Sequence, residues 1–216
     1  DGENSMRLKK DTVRLCAVME YSSANDSKLF EQIQMILEGG VTLIQFRERS
    51  SELYSFLMEA RQIKMLCLQY GVPFIIDNNV QIAQAVDADG VYLRKDTPLT
   101  GVRERLGADK LIGVSVETVQ QAWNAQADGA DYLVVGDDLT VEKWQMQKED
   151  ILDTLRKICE NVTIPVIAAG AITLENVTQV GKTGVDGIAV VRALLEQGDV
   201  IAATKILRKR IEDILI

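Results

Sequence analysis

The chain has 216 residues, of which 47% are hydrophobic and 26% charged, so it can form one large domain with a full core but leaves little room for a second. Its formal net charge of -8 argues against general binding to nucleic acid or to an anionic membrane, because contacts with many phosphates need a basic face. No apolar run approaches the roughly 18 residues that a transmembrane helix needs.

The cysteines and the N-terminus give further expectations. Cys16, Cys67 and Cys159 are far apart and form no CxxC spacing, which indicates buried, reduced thiols and a cytoplasmic protein. Residues 1–5 precede Met6, and we expect them to be a remnant outside the fold. The predicted domain therefore covers residues 6–216.

Short apolar runs alternate with segments of helical periodicity along the whole chain. The runs are bounded by turn residues and predict buried strands, and the periodic segments predict helices that cover them. The predicted strands lie at 14–20, 39–49, 72–77, 90–93, 111–115, 132–136, 165–169 and 187–191. The predicted helices begin at 26 or 27 and then lie at 53–70, 80–86, around Pro98 in a first turn, 117–127, 148–160, 174–182 and 200–215, with an irregular connection at 137–147.

Eight strand-helix units at a spacing of roughly 25 residues predict an α/β fold, a single-domain (β/α)8 TIM barrel. Strands rich in Val, Ile and Leu and separated by helices require a parallel sheet that is covered by helices. A doubly wound open sheet is the alternative, but no GxGxxG fingerprint follows the first strand. Three predicted strands are preceded by similar short segments, which contain Asp89, Asp131 and Asp186. These segments are the nearest feature to an internal repeat.

Active sites of such barrels lie at the carboxyl ends of the strands. Arg47 and Arg49 follow the second strand, and two guanidiniums at that place suit a ligand with phosphate oxygens, although a solvated loop is the alternative. Polar side chains recur after most of the other strands, which favours a site. The strand ends carry Glu20; Gln45, Arg47 and Arg49; Asp77, Asn78 and Asn79; Tyr92, Arg94, Lys95 and Asp96; Ser115 and Glu117; Asp137 and Asp138; Gly170 and Ala171; and Arg192.

Five segments between Arg14 and about Leu207 resemble motifs of the thiamine phosphate synthase family. GGVTLIQFRER resembles GG-x-T-x-x-Q-x-REK, LIGVSVET resembles IIGVSAHT, DGADYLVVG resembles DGADYLGVG, IPVIAAGAIT resembles IPVVAIGGIT, and GVDGIAVVRAL resembles GADGVAVVSAI. The resemblance implies a (β/α)8 barrel that joins a pyrimidine methyl diphosphate to a thiazole phosphate and releases diphosphate with Mg²⁺. It also implies a dissociative displacement, in which cations hold the departing diphosphate.

The resemblance implies a role for each matching residue. Arg47, Ser115 and Lys143 stand at the catalytic positions, with Arg49 replacing the usual Lys of the first motif. The positions that bind the phosphorylated substrates are Gln45, Arg47, Arg49, Asn78, Ser115, Gly170, Ala171, Val190, Val191 and Arg192.

The metal positions depart from the family pattern. Asp77-Asn78 stands where the family has Asn-Asp, so the carboxylate comes one residue early, and the alternation along a strand would turn it to the other side. Asp96 replaces the second metal carboxylate if the preceding loop has lost one residue. We therefore expect Mg²⁺ at Asp77 and Asp96, in a site that differs from the family's own.

The phosphate-binding motifs depart as well. The family's Thr-x-Thr-Lys segment is Val141 to Trp144 here, so that only Lys143 remains as a cation. Ala171 adds a methyl group to a Gly-Gly pair, and Arg192 replaces a small Ser. We expect an impaired synthase that acts on small phosphorylated substrates. The alternative is a diverged or redesigned barrel that binds a phosphorylated or anionic small molecule without this coupling.

Other chemistries are limited by the absence of histidine, which excludes a Ser-His-Asp triad, histidine metal ligands and a histidine-dependent thiazole tautomerase. Lys95 or Lys143 could serve as a Schiff-base amine if desolvated, although a surface role is the ordinary one. We expect Trp123 to pack within a helix and Trp144 to lie in a lid or an exposed loop. Nucleic acid and membrane are not expected partners, and a homo-oligomer is left open.

Overall fold

The computed structural model describes residues 8–21, 26–48, 53–95, 97–190 and 194–215. After a short 3-10 helix at Lys10–Val13, strands and helices alternate as the sequence predicts. The strands are β1 Leu15–Tyr21, β2 Leu43–Glu48, β3 Phe74–Asp77, β4 Gly90–Leu93, β5 Leu111–Val116, β6 Tyr132–Val135, β7 Val166–Ala168 and β8 Gly187–Val190. The helices are α1 Asp26–Glu38, α2 Leu53–Tyr70, α3 Val80–Ala85, α4 Val102–Leu106, α5 Val119–Ala127, α6 Val141–Asn161, α7 Val177–Gly181 and α8 Val200–Ile214.

The eight strands form a closed parallel barrel in chain order, which confirms the predicted (β/α)8 architecture. Each strand pairs with the next, and β8 closes the barrel on β1, where Val190 and Ala17 are register partners. On the other edge of β1, Ala17 pairs with Ile44 of β2. The strands have continuous apolar runs because the outer helices cover one face and the barrel interior buries the other.

The alternation of side chains along each strand separates an outer core from the barrel interior. Ile44 and Phe46 of β2 pack outward beneath the helices, whereas Leu43 points into the interior. By the same alternation Gln45 and Arg47 continue the inward side of β2 towards its carboxyl end. The interior is otherwise filled by Val13, Cys16, Val18, Ile75, Tyr92, Tyr132, Val134, Ile167, Ala169 and Ala189.

The three similar segments that precede strands have the same structural function. Asp89, Asp131 and Asp186 each precede a strand and accept a hydrogen bond from the backbone N–H of a residue in the strand before it. Each also pairs with a cation. The backbone donors are Phe74 at 2.8 Å, Ile112 at 2.7 Å and Val166 at 3.0 Å, and the cations are Lys64, Arg103 and Lys10 respectively. These carboxylates join alternate strand pairs at the amino-terminal end of the barrel.

Helix α6 differs from the expectation of an irregular connection up to residue 147. The helix begins at Val141, because the Thr140 side chain accepts a hydrogen bond from the Lys143 backbone N–H and caps its first turn. The helix has a kink where the predicted connection ends, because Gln147 has non-helical φ and ψ of -127° and 23°. Trp144 is buried on this helix, so the expectation of a lid or exposed loop residue was wrong.

Two smaller expectations were also wrong. Trp123 lies on α5 but is 60% exposed and therefore does not pack in the core. Pro98 precedes the helix that it was expected to start, since α4 begins only at Val102 after a left-handed Gly101. Among the described residues, none of the helices is long and apolar enough to cross a membrane.

Candidate active site

A cleft of about 480 Å³ opens at the carboxyl ends of the strands. Its walls come from the ends of β2 and β5 and from the segments that follow β4 and β6, which the closed barrel brings together. The lining residues are Arg47, Glu48, Arg94, Lys95, Ser115, Asp137 and Asp138. Three cations and three carboxylates therefore share one cleft.

Asp77 lies below this cleft and holds the two arginines in place. Its side chain is 1% exposed. One carboxylate oxygen, Oδ2, accepts hydrogen bonds from Arg47 Nε at 2.7 Å and from Gln45 Nε2 at 3.0 Å, and the other, Oδ1, accepts from Arg94 Nε at 3.2 Å. Both oxygens are thus occupied by donors from neighbouring strands.

Arg47 has a second carboxylate beside it, from the adjacent strand. Glu20 is its register partner on β1, and Glu20 Oε1 lies 3.5 Å from an Arg47 terminal nitrogen. Burial alone would lower the pKa of the Arg47 guanidinium, but Asp77 and Glu20 more than offset that effect, and the pKa is raised. The guanidinium is therefore a fixed, permanently charged group at the cleft.

A second network is centred on Asp137, directly after β6. Its Oδ2 accepts a hydrogen bond from the Tyr92 hydroxyl at 2.5 Å, and its Oδ1 accepts one from Ser115 Oγ at 2.9 Å. Tyr92 is completely buried, and burial together with the Asp137 charge raises the pKa of its hydroxyl. The phenol therefore stays protonated as a donor to Asp137.

The rim of the cleft is more exposed. Lys95 Nζ lies 2.7 Å from Glu117 Oε1 and 3.8 Å from Asp138 Oδ2, and these side chains are 38%, 43% and 56% exposed. Ion pairs with this exposure are screened by water and salt and contribute little to stability.

Asp77 and Asn78 face different surroundings, because β3 ends at Asp77 and the backbone turns at Asn78. Asn78 is exposed and has a left-handed backbone with φ of 52°. Its side-chain oxygen accepts hydrogen bonds from the Thr97 hydroxyl at 2.8 Å and from the Arg94 backbone N–H at 3.3 Å. Asn78 therefore stabilises the segment after β4, while Asp77 points into the barrel.

The donor set around Asp77 does not fit a divalent cation. Mg²⁺ needs oxygen ligands with free lone pairs, and here two guanidiniums and an amide donate to the Asp77 carboxylate. Within the part of the chain that the structure describes, no group of three or more His, Cys, Asp or Glu side chains is placed to hold a metal. Asp96, the other expected metal residue, lies outside the described residues.

The remaining expected site residues are spread over the barrel. Lys143 is exposed in the first turn of α6 and does not line the cleft described above. Gly170 has a left-handed φ of 91°, and the Ala171 carbonyl accepts a hydrogen bond from the Asn176 side chain at 2.8 Å. Val190 packs outward beneath the helices and lines a separate cleft of about 350 Å³. Arg49, Val191 and Arg192 lie outside the described residues.

Four residues of these networks were not among the expected site residues, although all four stand at predicted strand ends. They are Glu20, Tyr92, Arg94 and Asp137. The position after a strand was the available signal in the sequence. The family motifs contain no functional counterpart for these four residues, so the motifs alone do not indicate them.

The closed parallel barrel and the charged cleft define a (β/α)8 barrel of the class that carries its active site at the carboxyl ends of its strands. Residues 15–194 match the family of thiamine monophosphate synthase. The chain is 33% identical over 209 residues to thiamine-phosphate synthase 2 of Streptococcus pneumoniae, covering 96% of this chain and 100% of that protein. It is 38% identical over 187 residues to thiamine-phosphate synthase of Ruminiclostridium cellulolyticum, covering 86% and 89% of the two chains.

A solved structure gives the same result. Thiamine phosphate pyrophosphorylase from Pyrococcus furiosus superimposes with a TM-score of 0.82 and 35% sequence identity, over 96% of this chain and 99% of that one. The chain belongs to the thiamine monophosphate synthase family.

Proposed function

We propose that this chain is a transferase of the thiamine-phosphate synthase type, which couples a pyrimidine methyl diphosphate to a thiazole phosphate more slowly than an intact family motif would allow. Family membership supports the type of reaction. The observation that carries the proposal for this chain is the Arg47 guanidinium, which lines the cleft and is held by Asp77 and Glu20.

Arg47 is suited to hold the departing diphosphate. Its Nε is bound to Asp77, and Glu20 flanks one terminal nitrogen, so the orientation of the planar group is fixed before a ligand arrives. A positioned cation of this kind stabilises charge that develops on a leaving group without further reorganisation. Arg94, whose side chain is 51% exposed, supplies a second cation on the adjacent wall.

The same geometry supports the reduced rate. Asp77 and Glu20 partly compensate the charge of the arginines. Ser115 donates a hydrogen bond to Asp137, and Lys143 on α6 is not among the residues that line the cleft. Loss of one preorganised contact costs about 2.7 to 4 kcal/mol of barrier in sites of this kind. Two such losses would slow the reaction by roughly 10⁴-fold or more, although contributions of coupled residues do not simply add.

A second candidate is a barrel that binds a phosphorylated anion without coupling. It is favoured by the pairing of Arg47, Arg94 and Lys95 with carboxylates. Such pairing leaves binding capacity for an anion but lowers the electrostatic stabilisation of a transition state.

Formation of thiamine phosphate from the two phosphorylated substrates, with Mg²⁺ in the assay, tests the proposal. We expect slow product formation by the unmodified chain and at least a hundredfold loss in Arg47→Met, because one positioned cation is removed. Arg61→Met is the matched control, since Arg61 is exposed on α2, and it should leave the rate unchanged. No product from the unmodified chain, with retained binding of diphosphate, would favour the second candidate.

A further inference from the structure

The cleft has two chemically different walls. Arg47, Arg94 and Lys95 present only hydrogen-bond donors. Asp137 and Ser115, joined by the 2.9 Å hydrogen bond from Ser115 Oγ to Asp137 Oδ1, form the other, the Asp137 wall, and Glu48 and Asp138 add two further carboxylates to the lining. The division matters because a ligand that spans the cleft meets both walls at once.

The Asp137 wall offers acceptors. A carboxylate has about four lone-pair positions, and the Tyr92 and Ser115 hydroxyls use two of them. Asp137 is only partly buried, so its remaining lone pairs are available to a ligand in the cleft. A phosphate oxygen beside Asp137 would be repelled by the carboxylate, whereas an N–H group would find an acceptor there.

We propose that Asp137 is a specificity-determining residue that makes this cleft prefer an anionic ligand carrying an amino group over the same anion without one. The phosphate of such a ligand binds to the arginines, and its protonated nitrogen binds to Asp137. This inference rests on the anion binding in the proposed function and adds to it the second group that the ligand must carry.

Calorimetric titration with 3-aminopropyl phosphate and propyl phosphate tests the preference, since the two probes share the phosphate and differ in the amino group. The unmodified chain should bind the amino probe about two- to fivefold more tightly, the range expected for a partly exposed charge pair. Asp137→Asn should abolish this preference and bind inorganic diphosphate more tightly than the unmodified chain does.

Asp138→Asn is the matched control. It removes a charge of the same sign from the next residue, which lines the same cleft but has a 56% exposed side chain beside Lys95. The preference for the amino probe should persist in this variant. If Asp138→Asn loses the preference as completely as Asp137→Asn does, the effect is one of net charge and the assignment to Asp137 is wrong.

Tyr92→Phe provides a measurement that does not depend on the folding of Asp137→Asn. It removes one hydroxyl donor and frees an oxygen of Asp137, so the preference for the amino probe should rise about twofold or more. An unchanged or smaller preference contradicts the proposal. Binding of diphosphate and of both probes without discrimination would refute this inference and leave the proposed function standing, whereas no binding of any of the three anions would refute both.

Discussion

The Asp77→Ala substitution tests whether Asp77 is the structural anchor of the candidate site. Asp77 is 1% exposed at its side chain and Arg47 is 16% exposed, so the pair is largely shielded from solvent. Removing the carboxylate leaves Arg47 with Glu20 at 3.5 Å and leaves the Gln45 amide without its acceptor. Removing one partner of a buried ion pair costs about 3 to 5 kcal/mol of stability. We expect a loss near ~3 kcal/mol here, because Glu20 still compensates the charge of Arg47.

Urea unfolding, followed by circular dichroism, measures this loss. With a slope of about 1 to 3 kcal/mol per molar urea, a 3 kcal/mol loss moves the midpoint down by roughly 1 M or more. The matched control is Glu117→Ala, which breaks the 2.7 Å pair with Lys95 in which both side chains are more than a third exposed. That control should change stability by about 1 kcal/mol or less.

The double variant Asp77→Ala/Arg47→Met separates the ion pair from general packing. It removes both charges of the pair, so part of the stability lost in Asp77→Ala should return. The reasoning fails if Asp77→Ala is as stable as the Glu117→Ala control. It also fails if the effects of the two single substitutions simply add in the double variant, because the pair would then carry no coupling energy.

Three further predictions concern the barrel itself. Asp186→Ala should cost about 1 to 3 kcal/mol in urea unfolding, because the buried Val166 N–H loses its acceptor, and a neutral result would contradict the role given to that carboxylate. Gly113→Ala should also cost about 1 to 3 kcal/mol, because its methyl group would fall within the ring of Tyr132, and unchanged stability would show that the interior can repack. Burial raises the pKa of the Cys16 thiol from 9.0 to about 12, so this thiol should favour the fold fully below pH 9 and progressively less towards pH 12. Iodoacetamide at pH 8, followed by mass spectrometry, should modify Cys16 only after unfolding, and rapid modification of the folded chain would refute its burial.

The order of strands and helices could be predicted from the sequence because each signal is local. Apolar runs, helical periodicity and glycine stops gave the eight units, and Gly71 ends α2 with a left-handed φ of 66° as expected. The sequence does not indicate the start of α6 clearly, although Thr140 is a standard capping residue, because the polar residues after it are also typical of a loop. The burial of Trp144 follows from that helix and could not be inferred without it.

The sequence predicts which residues stand at the strand ends of the site, but not which of them are hydrogen-bonded to each other. Which side chains meet depends on the register of neighbouring strands, and that register places Arg47 opposite Glu20 and Asp77 opposite Tyr92. Tyr92 and Asp137 are 45 residues apart, and nothing local in either segment indicates a hydrogen bond between them. The family motifs identified Gln45, Arg47 and Ser115 as site positions but could not show that carboxylates of this chain engage all three.

The rate of thiamine phosphate formation after exchanging Asp77 and Asn78 tests the central claim most directly. Asp77→Asn/Asn78→Asp restores the order of the family motif, removes the charge that compensates Arg47 and Arg94, and places a carboxylate at the exposed position after β3. The amide oxygen that this exchange puts at position 77 still accepts the hydrogen bond from Arg47 Nε, so the guanidinium keeps its orientation. We predict slow formation by the unmodified chain and a rate at least tenfold higher in the exchanged chain, with Mg²⁺ and both substrates supplied. Rapid turnover by the unmodified chain that the exchange leaves unchanged or lowers would contradict the account.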